Sequence, residues 1–113
     1  MLEELAQQGV KHTPEQVVAI ARDAAGKVVF LEEGNARAGL RHIVEQHGAD
    51  FARRGIPEER IPEAVLAAAT RGTQVGIQGT RPIFEVDFDG QTRRIAVTVG
   101  ANGFIVGANP AAK

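Results

Sequence analysis

Residues 82–99 read PIFEVDFDGQTRRIAVTV. Phe84, Val86 and Phe88 alternate with Ile83, Glu85 and Asp87, and Ile95, Val97 and Val99 alternate with Arg94, Ala96 and Thr98. Period-two alternation is the mark of strands with two unlike faces. Asp89-Gly90 between the two runs is a two-residue hairpin signal, because both positions accept positive φ. Residues 82–88 and 92–99 therefore predict an antiparallel pair. Outward from it, TQVGIQ at 73–78 predicts a preceding strand, and FIVG at 104–107, after an Asn102-Gly103 turn, starts a last one that ends at Pro110.

The first two-thirds of the chain reads differently. Residues 2–8 predict a short helix. Thr13, Pro14 and Gln16 have the spacing of a helix N-cap, a first-turn proline and a capping box. Val17, Val18, Ile20 and Ala21 then form an apolar stripe, and Gly26 marks a stop. KVVFLE at 27–32 predicts a short extended segment. Gly34-Asn35 predicts a turn, with Asn35 as cap of a helix over about 37–51, on which Leu40, Ile43, Val44, His47 and Phe51 share a stripe. Pro62 opens a third helix that runs to about Ala69. Helices first and then a meander of about four strands make an α+β fold. The 113 residues predict a single domain: a helical part to residue 26, a strand and histidine-bearing helices over 27–72, and the meander over 73–110.

Composition narrows the chemistry. There is no cysteine, so disulfides, thiolate metal sites and a cysteine nucleophile are excluded. No apolar run approaches the roughly 18 residues of a membrane span, and MLEELAQQGVKH lacks the basic and apolar regions of a signal peptide. Thirteen basic against fourteen acidic side chains argue against a globally basic nucleic-acid binder. Ten of the cations are arginines, and lysine occurs only at Lys11, Lys27 and Lys113, which leaves local phosphate recognition open.

RHIVEQH carries His42 and His47. Histidine suits proton transfer near neutral pH. Five residues apart on a helix is about 140°, so the pair does not share a face as two metal-ligating histidines would. On the wheel His47 falls on the apolar stripe, toward the sheet, and His42 on the polar side beside Glu45 and Gln46. Thr98 puts a hydroxyl on the less apolar face of its strand, above Ala96 and Arg94. Arg93 and Arg94 point to opposite faces. Arg53-Arg54 end the histidine helix, where cations suit the dipole or bind phosphate. Asn109 in GANP caps a turn or joins a site. No phosphate-loop, dinucleotide or nucleophile-elbow motif is present.

Three stretches, LEEGNARAGLRHIVEQHGADFARRGI, RRIAVTVG and NGFIVGANP, in this order resemble the C-terminal toxin domains of bacterial polymorphic and contact-dependent growth inhibition proteins. Many of these look like members of the barnase–EndoU–colicin–RelE superfamily of ribonucleases. The resemblance spans roughly residues 28–110. It implies a helical N-terminal part packed on a twisted antiparallel sheet, with the active site in the cleft between them. It implies metal-independent endoribonuclease activity, often on tRNA, by attack of a 2′-hydroxyl on the adjacent phosphate. His42 or His47 would then serve as base and acid, Arg94 and Thr98 would steady the charged phosphorane, and Asn109 would be an outer candidate. No cofactor or metal is implied. A cognate immunity protein is the implied partner besides RNA, and the need for a host activating protein is left open. The implied setting is delivery as the end of a larger protein into a target-cell cytoplasm. The alternative is a non-catalytic interaction module of a phage or secreted protein with the same fold. A metal-dependent DNA nuclease fits less well, because no histidine–carboxylate group has ligand spacing.

Overall fold

A computed structural model describes Leu2 and residues 14–111. The helix expected over 2–8 and the Thr13 cap lie, Leu2 apart, outside the described residues. Pro14–Gln16 is a 3-10 turn, and the predicted helix after it is absent: Val17–Arg22 is a strand (β1) paired antiparallel with β2, Val28–Glu32. Part of the reason is local. Val17, Val18 and Ile20 are β-branched and favour extended backbone. Asp23 Oδ1 accepts the N–H groups of Ala25 and Lys27, both at 2.9 Å, and so closes a hairpin turn on Gly26. The glycine read as a helix stop, at φ 85°, is a hairpin glycine.

Every residue of β2 is buried. Val29 and Leu31 enter the main core, while Val28 and Phe30 form a smaller one with Val17, Ile20 and Phe104. Phe30 meets Phe104 edge-on at 5.7 Å, and its N–H donates to Gly103 O. The hairpin is thereby seated beside the last strand of the main sheet.

The histidine helix (α1) runs over Leu40–Arg53 and starts later than predicted. Asn35 does not cap it. Asn35 Oδ1 accepts the Arg37 N–H at 2.8 Å in a tight turn, and Gly39 holds the N-cap position. Gly39 N–H donates to Val106 O at 3.0 Å, which ties the helix start to a strand. A 3-10 turn, Glu58–Arg60, leads into α2, Ile61–Arg71, with Pro62 in its first turn and Ile61, Ala64, Val65 and Ala68 buried. Residues 17–32 are thus a hairpin, and α1 and α2 stand between it and the sheet in chain order.

The meander forms as predicted. Strands β3 (Thr73–Gln78), β4 (Arg81–Phe88), β5 (Gln91–Val99) and β6 (Ile105–Pro110) pair antiparallel in that order. Asp89 and Gly90, at φ 53° and 77°, make the two-residue β4–β5 turn. The β5–β6 connection is wider than the expected two-residue turn: Gly100 N–H donates to Phe104 O and Gly103 N–H back to Gly100 O. The protein is α+β: its described residues hold the helices α1 and α2, a four-stranded antiparallel sheet and a two-stranded one.

One face of the sheet offers Val86, Phe88, Ile95, Val97, Ile105 and Ala108 to Ile43, Phe51, Val65 and Ala68 of the helices. That packing fills the space between helices and sheet, where the sequence resemblance had implied an active-site cleft. Strand alternation then puts Arg81, Ile83 and Glu85, Arg94, Ala96 and Thr98, and Gly107 and Asn109 on the other face.

Candidate functional site

Arg81 is the centre of this polar face. In the β4–β5 register Ile83 opposes Ala96 and Glu85 opposes Arg94, so two residues further out Arg81 stands across from Thr98. Arg81 Nε donates to Thr98 Oγ1 at 2.9 Å and its Nη1 donates to Asn109 Oδ1 at 2.9 Å. Asn109 Nδ2 donates onward to Gln78 Oε1 at 2.8 Å, on β3. The Arg81 guanidinium and the Asn109 amide together thus link side chains of all four strands. Its neighbours are neutral: among the described residues no carboxylate pairs with it. Partial burial pushes its pKa down from the ordinary arginine value, although arginine stays charged. A partly desolvated cation without a counter-ion is an anion-binding element.

Gly107 is the floor of the site. It pairs with Thr98 and is buried. A Cβ here would lie 2.7 Å from Arg81 Nη2 and 3.5 Å from His42 Cδ2. The missing side chain leaves room for the guanidinium and the imidazole over the same backbone position. α1 reaches this point because its first turn is tied to Val106 at the β6 edge, so the polar flank of the helix overhangs the sheet.

His42 Nδ1 lies 2.9 Å from Ala36 O. A carbonyl only accepts, so Nδ1 carries a proton, and the neutral ring then has its lone pair on Nε2. Nε2 has no hydrogen-bond partner among the described residues, and the Cδ2 beside it is the atom over Gly107. The arrangement presents a proton acceptor next to a forked cationic donor, which is the pairing needed to deprotonate a hydroxyl that attacks a bound phosphate.

The remaining predicted residues divide. Thr98 and Asn109 belong to the cluster as the supports of Arg81. Arg94 shares the face, but its Nε donates to Glu85 Oε2 at 2.9 Å in a cross-strand ion pair. His47 is not brought to His42. Its Nδ1 lies 3.2 Å from Asp50 Oδ2, and Arg53 pairs with the same carboxylate. The hydrogen bond from His47 first, and then the charge of Arg53, hold the Asp50 carboxyl below its ordinary value against partial desolvation. His47 lies on the stripe of buried Ile43 and Phe51, as the wheel has it, but the contact over the polar face of the sheet belongs to His42, which lies beside Gly107.

Arg81, Gln78 and Gly107 were not among the predicted site residues. The strand expected over 82–88 stops one residue short of Arg81, with which β4 begins. Counting the register outward from Asp89-Gly90 sets residue 81 opposite residue 98. Among the described residues no three histidine, aspartate or glutamate side chains converge on a metal position, and no helix is long and apolar enough to cross a membrane. Neither protein-family models nor curated proteins match the chain.

Proposed function

We propose that the domain is an endoribonuclease toxin of the barnase–EndoU–colicin–RelE kind, acting on RNA and most often tRNA without a metal. The observation that carries the reading is the meeting of His42 and Arg81 over Gly107, with the arginine held by neutral side chains and short of a counter-ion.

The scissile phosphate sits against the free Nη2 edge of Arg81. His42 Nε2 takes the 2′-hydroxyl proton as the 2′-oxygen forms its bond to phosphorus. The phosphorus–5′-oxygen bond breaks, the leaving oxygen takes a proton from water, and a 2′,3′-cyclic phosphate remains. Arg81 steadies the charge that builds on the phosphorane, where preorganised donors are worth most. Thr98 and Asn109 keep its plane fixed. Arg94 and His47, assigned to the chemistry by the resemblance, act in this reading through cross-strand pairing and helix support. A cognate immunity protein would cover the polar face, and delivery from a larger parent would bring the domain to its RNA.

The test is a gel of total bacterial tRNA incubated with the domain in EDTA. Wild type and His47→Ala give discrete fragments. His42→Ala loses about 10²- to 10⁴-fold in rate, the range for a positioned proton acceptor. Equal cleavage by wild type and His42→Ala would sink the mechanism. The interaction-module reading draws on Val75 and Ile77, which are 44% and 63% exposed on the edge strand β3. Free expression of wild type in bacteria without a protective neighbour gene, with intact RNA in the gel, favours it.

A further inference from the structure

At the other end of β5 a cleft of about 170 Å³ is lined by Arg54, Thr92, Arg93, Arg94, Pro110 and Ala111. It holds roughly five or six waters' share of liquid volume. The last residues of β6 form one wall, and the segment that follows α1 forms another.

Two of its three cations lack a counter-ion. Arg94 pairs with Glu85, but Arg54 and Arg93 meet no carboxylate among the described residues. Both are anchored by main-chain carbonyls instead. Arg54 Nη1 donates to Ala111 O at 3.0 Å, and Arg93 Nη1 donates to Arg54 O. Arg93 Nε is buried and has no hydrogen-bond partner. Leaving a charged donor buried and unmade costs free energy, and holding two cations on one cleft costs more. An oxyanion in the cleft offsets the repulsion between the two cations, and the planar guanidinium fork matches phosphate.

We infer that this cleft is a second phosphate site, held by Arg54 and Arg93, and that it takes a backbone phosphodiester of the RNA strand whose scissile phosphate lies at Arg81. The ligand's identity rests on the ribonuclease reading; the phosphate chemistry does not. Arg93 and Thr98 are five residues apart on β5, about 17 Å, which is the rise of about five stacked nucleotides. They face opposite sides of the sheet, so one strand engages both sites by passing round the β6 edge.

The experiment has two arms. Inorganic phosphate is titrated into the domain while the arginine side-chain N–H signals are followed by NMR. The Arg93 Nε–H signal shifts and saturates in wild type and in His42→Ala, and stays still in Arg54→Gln. In the second arm, non-cleavable 2′-O-methyl oligonucleotides of two and six residues are compared. Six bind wild type about tenfold tighter than two, and Arg54→Gln loses that gain and about one unit of the log–log salt slope. Arg54→Lys, which keeps the charge without the fork, is the second variant if the glutamine variant fails to fold, and it recovers only part of the gain. An Arg93 signal unmoved by phosphate overturns the site even if the tRNA gel shows cleavage. Phosphate binding without length dependence overturns the RNA strand as its ligand. Phosphate binding together with a negative tRNA gel upholds the site and rejects the ribonuclease reading, so the two failures are distinguishable.

Discussion

Arg81 holds a threonine hydroxyl and an asparagine carbonyl with two of its nitrogens and leaves the third for a ligand. A lysine there keeps the charge but cannot bond two sheet partners and a phosphate in one plane. Arg81→Lys is expected to lower RNA cleavage by about 10²- to 10³-fold, the loss typical of one transition-state donor, with the melting temperature nearly unchanged; single-turnover cleavage and a thermal melt check it. Asp50 gives the opposite kind of residue effect, on stability alone. Its folded pKa lies below the ordinary 3.8, so its ionised form stabilises the fold above that value and the contribution disappears as pH falls through the lowered pKa. Melting curves of wild type and Asp50→Asn should differ near neutral pH and converge in acid, and a gap that widened in acid would contradict the assignment. Both histidines were visible in the sequence. Their division of labour was not, because it depends on where α1 crosses β6, and no spacing encodes that crossing.

The four-strand meander was legible because each strand alternates and its best turn is Asp-Gly. The β1–β2 hairpin was hidden by a conflict within one segment: Thr13, Pro14 and Gln16 spell a helix start, while Val17, Val18 and Ile20 prefer a strand. What decided it was the Asp23 carboxylate clasping the turn and the buried run of β2 waiting for a partner, the second of which is tertiary. At the same scale, Gly107 is where β6 gives way to the site. Gly107→Ala puts a methyl against Arg81 Nη2 and pushes the guanidinium off its seat. Since a misplacement near 1 Å can cost about 10²-fold, cleavage should fall by about that factor while circular dichroism stays unchanged. Unimpaired cleavage by this variant would remove Gly107 from the site.

Across the described residues the chain divides into a half that is all neighbour-to-neighbour strand pairing and a half whose β1–β2 hairpin and α1 reach the sheet through distant contacts. β3 to β6 close on short loops, each strand beside the one before it. The bridge from Phe30 to Phe104 spans 74 residues, and the tie from Gly39 to Val106 spans 67. Neighbouring strands close at low entropic cost and early, while distant contacts wait for the rest. Arg81, Thr98 and Asn109 belong to the early half, and His42 arrives over Gly107 only with the late one. A refolding chain should therefore regain its sheet spectrum before it regains cleavage, with activity following the slowest phase in a double-jump stopped-flow assay. Simultaneous recovery would contradict that order. On the ribonuclease reading, a partly folded chain then carries Arg81 in its seat without His42 over Gly107, and cleavage would stay switched off until the last contact closes.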